Sequence, residues 1–197
     1  MRTSRYAAAV AGTAAALLLG ACGGAHNSAG PSASTSPPGP AATTSTSNPY
    51  GAGPVDPPAP NEPVLTVKGG QTPLSLTIDQ LNALGNTTVT LDEPFVKKRQ
   101  TFSGVPLAAV VAKAGIPNTA TIETVALNDY HYSNVVGPMV DSLALIATTR
   151  DGAPIPYDQG GPIRLVFPDG TPLSSNLDAW NWSLATIAVT TLGNPGS

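Results

Sequence analysis

The sequence has little of the chemistry on which most catalytic and metal sites depend. Its 197 residues contain one cysteine, Cys22, and two histidines, His26 and His131. A single cysteine excludes an internal disulfide, and one thiol with two distant histidines cannot supply the four ligands of a usual zinc site. Neither GxGxxG nor GxxxxGKS/T occurs in the chain, so the common phosphate-binding loops have no support.

Charge is also scarce. Asp, Glu, Lys and Arg together make up 11% of the residues, and the net charge is −3. The one basic run, Lys97-Lys98-Arg99, is typical of a solvated hairpin or loop. Proteins that bind nucleic acids usually carry a basic face and a basic balance, so we expect no nucleic-acid partner.

Long apolar runs are limited to the first 21 residues, which have the pattern of an export signal. Arg2 and Arg5 precede an Ala-rich apolar stretch that is too short and too weak to predict a transmembrane helix. The stretch ends in "LGAC", which resembles the bacterial lipobox. That resemblance implies that residues 1–21 are removed and that Cys22 becomes a lipidated N-terminus. We therefore expect a lipid-anchored protein on the cell membrane, facing away from the cytoplasm.

Residues 22–62 are rich in Ser, Thr, Pro, Gly and Ala, and they contain 6 of the chain's 20 glycines and 9 of its 21 prolines. They include almost no large apolar side chains, so burial cannot offset the entropy lost on ordering. We interpret this segment as a disordered tether between the lipid and a domain at residues 63–191. Residues 192–197 are predicted to be a short C-terminal tail.

The domain segment contains predicted strands, two short helices, and a short helix or turn that passes into a strand at "GPMVDSLALIATT". Thr77 and Gln80 fit a capping box at the start of the first helix, which we expect to end near Leu84. "GVPLAAVVAKAGIP" predicts the second helix, with Gly115 as its end. Strands are predicted at "PVLTV", "TTVTLDE", "KKRQTFSG", "IRLVF" and "WSLATIAVTT", and on both sides of a turn near Asn128-Asp129. Because strands outnumber helices and do not alternate with them regularly, the pattern favours an α+β fold.

Three stretches resemble the molybdopterin-binding oxidoreductase domain of the sulfite-oxidase type. They are "TFSGVPLAAVVAKAGI", "LALIATTRDGAPIPYDQGGPIRLVFPD" and "AWNWSLATIAV". Their order and spacing also agree with that family, and the resemblance covers most of residues 63–190. It implies a fold of mixed, irregular β-sheets with short helices, and molybdopterin as the family's cofactor.

The sequence departs from that family where the metal would bind. The resemblance implies a molybdenum-binding cysteine before the Gly-Val-Pro-Leu segment, but "TVTLDEPFVKKRQTFSG" contains none. Asp92 and Glu93 are hard oxygen donors and do not replace a soft thiolate. Gln159 stands where the family often has histidine before Gly-Gly-Pro. The basic residues left to hold a pterin phosphate are Arg150, Arg164 and the Lys97–Arg99 run.

Candidate ligand-binding residues cluster in the polar, aromatic stretch "NDYHYSN". The resemblance places the family's pocket near this hairpin, which makes Asp129, Tyr130, His131 and Tyr132 candidates. A partly exposed strand would explain His131 equally, and no nucleophile-elbow motif supports a hydrolase built on it. Arg164 is a further candidate, either as an anion or pterin contact or as a structural arginine bonded to carbonyls or a carboxylate.

Two functions remain open from the sequence. In the first, the domain keeps the fold without molybdenum chemistry and binds a small ligand or an envelope protein; it has no catalytic residue, metal or cofactor. In the second, it is a redox enzyme or redox subunit that holds molybdopterin without a cysteine ligand. We favour the first, because the only cysteine is assigned to lipid and the signal lacks the paired arginines used to export folded, cofactor-loaded enzymes.

Overall fold

The computed structural model describes residues 57–191. Cys22, the predicted signal segment, most of the predicted tether and the predicted tail lie outside the described residues. The last residues of the predicted tether form a turn, in which the Glu62 backbone N–H donates to the Ala59 carbonyl at 2.9 Å. The described part contains ten strands and three short α-helices, which confirms the α+β prediction.

The first sheet is mixed and unites both ends of the domain. Its first strand β1 (Leu65–Lys68) is parallel to the last strand β10 (Leu184–Thr191). The other pairs are antiparallel, in the order β2-β1-β10-β5-β6. The remaining strands of this sheet are β2 (Leu74–Leu76), β5 (Thr121–Ala126) and β6 (His131–Val135).

The second sheet is antiparallel and is built on the long strand β4 (Lys98–Pro106), which pairs with β3 (Thr87–Glu93) and β7 (Leu145–Arg150). Two short strands, β8 (Ala153–Pro154) and β9 (Arg164–Val166), also pair with β7. Where β4 meets β7, the register shifts between Ser103 and Gly104. The two backbones are so close at this bulge that a Cβ on Gly104 would lie 2.1 Å from the Ile146 carbonyl oxygen.

The predicted capping box is present at helix α1 (Ile78–Asn82). The Gln80 backbone N–H donates to Thr77 Oγ1 at 3.3 Å, and the Thr77 N–H donates to Gln80 Oε1 at 3.0 Å. The helix ends at Asn82, two residues before the predicted end, because Ala83 takes the C-cap position.

We expect Thr77→Ala to lower the free energy of unfolding by about 1 kcal/mol, because it removes the acceptor for a helix N-terminal N–H group. Urea unfolding followed by circular dichroism measures the change. Thr119→Ala, at an exposed threonine in the turn before β5, is the control and should change stability much less. Equal effects of the two substitutions would contradict the capping role.

Helix α2 (Leu107–Ala114) confirms the second predicted helix. Its buried face carries residues at helical spacing, and Gly115 ends it in the left-handed conformation with φ of 67°. A third helix, α3 (Val136–Asp141), follows β6. No helix within residues 57–191 has the length and apolar composition needed to cross a bilayer.

The core is one apolar cluster to which both sheets and α2 contribute. Leu65 and Ile187 enter it from the first sheet, Phe102 and Ile146 from the second, and Val110 from α2, all fully buried. Each Å² of buried apolar surface contributes about 25 cal/mol to the stability of a fold, so this shared cluster is the main stabilising contribution.

The last strand begins later than predicted. The sequence predicts extended structure from Trp182, but β10 begins at Leu184. Ser183 has a positive φ of 52°, and its N–H donates to the Gly160 carbonyl at 2.8 Å. This turn takes Trp182 out of the strand and brings it against the loop that contains Gly160.

Candidate functional site

Three loops from different parts of the chain line one open cavity of about 310 Å³, which we call the aromatic cavity. They are the turn after β3, the turn between β5 and β6, and the segment that precedes β10. The lining residues are Phe95, Asn128, Tyr130, Leu177, Asp178, Trp180 and Trp182.

The aromatic rings of this cavity stand at steep angles to one another. Phe95 lies edge-on to Trp182, with centroids 5.2 Å apart and planes at 71°, and to Trp180 at 6.5 Å and 72°. Trp180 is nearly buried and also packs against Phe167 at 5.9 Å, while its Nε1 donates to the Ser174 carbonyl. Such edge-to-face contacts are favourable and hold the cavity walls in place.

Tyr130 links the hairpin turn to the opposite wall. Its hydroxyl donates to the Asp178 carbonyl oxygen at 3.0 Å. Burial raises the pKa of Tyr130, and the nearby Asp178 carboxylate and Tyr132 raise it further. Tyr130 is therefore a neutral hydrogen-bond donor at physiological pH.

The hairpin turn itself is held by local polar contacts. Asp129 adopts a positive φ of 62°, which aspartate tolerates better than most residues, and its N–H donates to the Ala126 carbonyl. The Asn128 side chain accepts a hydrogen bond from the Tyr130 N–H at 3.3 Å. These contacts confirm the turn predicted at Asn128-Asp129 and set the position of Tyr130.

Beside the cavity, Trp182 contacts a buried cation. The Arg164 guanidinium lies 4.2 Å from the centre of the Trp182 ring and 5.6 Å from that of Phe102. Gly160 approaches Trp182 so closely that a Cβ there would lie 2.9 Å from the indole ring. Trp182 is thus packed against Arg164 and the Gly160 loop, and it also lines the cavity.

Arg164 forms a buried ion pair with Glu93. Its Nη2 donates to Glu93 Oε1 at 2.7 Å, and its Nη1 donates to the Gln159 carbonyl at 3.2 Å. The exposed fractions of the two side chains are 2% and 0%. The other carboxylate oxygen of Glu93 accepts from the backbone N–H groups of Phe95 and Val96 at 2.9 and 2.7 Å. Glu93 therefore holds both the arginine and the turn that presents Phe95.

Of the candidates in the hairpin, only Tyr130 lines the aromatic cavity. Asp129 is exposed at the turn beside it. His131 is half exposed and its Nδ1 lies 3.3 Å from Glu123 Oε1 on the neighbouring strand, away from the cavity lining. Tyr132 is partly buried, and its hydroxyl accepts from the side-chain amides of Asn134 and Asn176. Tyr130 belongs to the turn that lines the cavity, whereas His131 is the first residue of β6 and contacts β5.

Arg164 has the environment of a structural arginine. It does not line the cavity, and its contacts are a carboxylate, a carbonyl and two aromatic rings. Sequence reasoning missed Phe95, Leu177 and Asp178 as cavity residues and placed Trp182 in the last strand. The positions of the scarce aromatic residues could have indicated the cavity in the sequence, because four of the eight within residues 57–191 line it.

The described residues hold no cluster of three or more His, Cys, Asp or Glu side chains that could bind a metal ion. Arg150 lies on the same side of the domain as Arg164, since its guanidinium donates to the side-chain oxygen of Gln159. Its Nε is also 3.8 Å from a carboxylate oxygen of Asp151.

Comparison with known proteins identifies a solved structure with a similar fold. A solved structure of the sulfane dehydrogenase SoxCD from Paracoccus pantotrophus superposes with a TM-score of 0.53 at 18% sequence identity. The match covers 66% of this chain and 38% of that chain, so this chain spans well under half of its structural neighbour. At this identity the likeness shows a shared fold. No curated protein sequence matches this chain.

The family comparison extends over most of the domain. Residues 52–175 match the family described as "Oxidoreductase molybdopterin binding domain". This matched range contains two of the three loops around the aromatic cavity, the turn after β3 and the turn between β5 and β6, while Leu177, Asp178, Trp180 and Trp182 lie beyond its end. The chain therefore belongs to the oxidoreductase molybdopterin-binding domain family.

Proposed function

We propose that this protein is a lipid-anchored envelope protein whose domain uses the molybdopterin-binding fold to bind a ligand without molybdenum catalysis. In this proposal Cys22 carries the lipid, the chain faces away from the cytoplasm, and the aromatic cavity is the binding site. The partner is a small ligand or another envelope protein. The observation that carries the proposal is the buried Glu93–Arg164 pair in the segment where the resemblance implies a metal thiolate.

The donor groups of that segment do not fit molybdenum. The only cysteine of the chain lies far upstream, in the lipobox-like motif. Asp92 is exposed and pairs with Arg99 at 3.2 Å, while both oxygens of the Glu93 carboxylate are engaged by Arg164 and by backbone N–H groups. A hard oxygen donor that is already bonded cannot act as a soft thiolate ligand.

The arginines that could hold a pterin phosphate are also committed. Arg164 is paired with Glu93, Arg99 lies 3.2 Å from both Asp92 and Asp169, and Arg150 faces Asp151. A phosphate would have to compete with a carboxylate at each of these guanidinium groups. The segment that precedes Gly-Val-Pro therefore fits the family's metal poorly and these three arginines fit its phosphate poorly, which leaves the exposed Lys97 and Lys98 as the other candidate phosphate contacts.

A second candidate function rests on the family match itself. In that case the domain is a redox enzyme or redox subunit that holds molybdopterin through contacts other than cysteine. Metal analysis and pterin fluorescence of protein purified from its native envelope distinguish the two functions. We expect molybdenum and pterin far below stoichiometric amounts, whereas stoichiometric molybdenum would overturn the proposal of a domain without molybdenum catalysis.

Anchoring has a separate test. Cys22→Ser removes the thiol that takes the lipid, so we expect the protein to leave the membrane fraction or to remain unprocessed. The reason is that acyl chains contribute about 0.8 kcal/mol per buried methylene, and a hydroxyl carries none of them. Fractionation of envelopes followed by mass spectrometry of the N-terminus measures both outcomes.

Ser45→Ala, a change within the predicted tether, is the matched control and should leave attachment and processing as in the parent protein. Membrane attachment of the Cys22→Ser protein equal to that of the parent would show that the anchor lies elsewhere.

A further inference from the structure

The aromatic cavity concentrates side chains that the rest of the protein uses sparingly. Aromatic residues make up 5% of the sequence, yet four line this one cavity. Phe95 and Tyr130 remain 44% and 39% exposed. Soluble proteins rarely group exposed apolar rings in this way unless the group binds something.

The charges around the cavity favour a cation. Among the described residues that line it, Asp178 is acidic and none is basic. Asp129 lies at the adjacent turn, and the Asp178 carboxylate is close enough to Tyr130 to help raise the pKa of its hydroxyl. The nearest buried cation, Arg164, is neutralised by Glu93. An anionic ligand would therefore meet negative charge here with no compensating partner in the lining.

The ring geometry favours a rounded group over a flat one. Phe95 meets the planes of Trp180 and Trp182 at 72° and 71°, so the walls form a corner instead of a parallel slot. A planar ring system stacks best between parallel faces. An alkylated ammonium group instead needs no parallel slot and gains from contact with any open π face, because each face carries partial negative charge. The Arg164 guanidinium, 4.2 Å from the centre of the Trp182 ring, is a cation already held in this way.

We propose that the aromatic cavity binds a small organic cation with an alkylated ammonium group, which is held against Phe95, Trp180 and Trp182 and balanced by Asp178. This inference rests on the proposed function, since it names the class of ligand for the same site. A volume of about 310 Å³ accommodates such a group with a short polar chain. Asn128 and the carboxylate then supply the few polar contacts that orient a ligand in an apolar pocket.

The protein carries its own reporter for this site. The chain has only two tryptophans, Trp180 and Trp182, and both line the cavity. Intrinsic tryptophan fluorescence of the full chain, purified in detergent, therefore reports occupancy of the cavity without a label. The probes are choline, its neutral isostere 3,3-dimethylbutanol, and glucose.

We expect choline to change the tryptophan emission in a saturable way, with the neutral isostere binding about tenfold more weakly because it lacks the charge. Phe95→Leu and Asp178→Asn should each weaken choline binding about fivefold or more. Both positions are exposed enough for the variants to fold. Glu123→Gln, a carboxylate change on the same hairpin that does not line the cavity, is the control and should bind choline like the parent.

Equal binding of choline and its isostere, saturable binding of glucose alone, or an unchanged affinity in Asp178→Asn would each overturn the cation proposal. The same preparation is assayed for molybdenum, so that failure of the cation proposal can be told apart from failure of the proposed function. Metal-free protein that does not respond to choline would overturn the cation proposal alone. Protein that contains stoichiometric molybdenum and still binds choline in the cavity would overturn the proposed function alone.

Discussion

Glu93→Ala should lower the free energy of unfolding by about 3–5 kcal/mol, because it leaves Arg164 as an uncompensated charge in the core. The same substitution removes the acceptor of the Phe95 and Val96 backbone N–H groups, each at 2.9 Å or less. Leaving these part-buried donors without their acceptor adds to the loss. Urea unfolding of the full chain, followed by tryptophan fluorescence and circular dichroism, measures this change.

The matched control is Glu123→Ala. Glu123 Oε1 also lies close to a basic side chain, 3.3 Å from His131 Nδ1, but His131 and Glu123 are 51% and 32% exposed, and exposed pairs contribute about 1 kcal/mol or less. If the Glu93 and Glu123 variants lost equal stability, the buried pair would have no special role.

A second variant tests the mechanism of the loss. Glu93→Leu combined with Arg164→Met removes both charges and keeps apolar volume, so it should recover much of the stability lost in Glu93→Ala, as replacement of buried ion pairs often does. If the double variant were as unstable as Glu93→Ala, the loss of stability would come instead from the two backbone N–H groups that donate to Glu93.

Gly104→Ala should destabilise the domain by about 3 kcal/mol through steric overlap. A Cβ at this position would lie 2.1 Å from the Ile146 carbonyl oxygen and 2.7 Å from the Ala147 Cα, both backbone atoms that cannot rotate away. Strands β4 and β7 would have to separate at their bulge, which lies within the second sheet. Chemical denaturation measures the loss.

Gly152→Ala separates this steric effect from the ordinary cost of replacing glycine. Gly152 has open space around it but a positive φ of 79°, so alanine there should cost about 1 kcal/mol for conformation alone. A loss at Gly104 no larger than that at Gly152 would contradict the close approach of the two strands.

Local patterns predicted the local elements well. The capping box of Thr77 and Gln80, the glycine end of α2 and the turn at Asn128-Asp129 all involve residues within a few positions of one another. Such contacts depend on short-range geometry, which composition and spacing express directly. The family resemblance added the sheet arrangement that periodicity alone could not supply.

These local patterns did not predict the long-range contacts. Glu93 and Arg164 are 71 residues apart, and nothing in either local segment indicates that the two side chains meet. Trp182 was predicted to lie in a strand, yet the positive φ of Ser183 and a hydrogen bond to Gly160 turn it toward the cavity. His131 follows Tyr130 directly in sequence, yet it contacts Glu123 on the neighbouring strand and does not line the cavity.

The sequence by itself determined which chemistry this domain lacks. With Cys22 as the only cysteine, residues 57–191 contain no thiolate for a metal, whatever fold they adopt. Only the tertiary structure decided what occupies that region and what surrounds it. Packing brought Glu93 against Arg164, and three loops brought scarce aromatic residues and Asp178 around one cavity, because burial and long-range hydrogen bonds act between residues that are neighbours only in the folded chain.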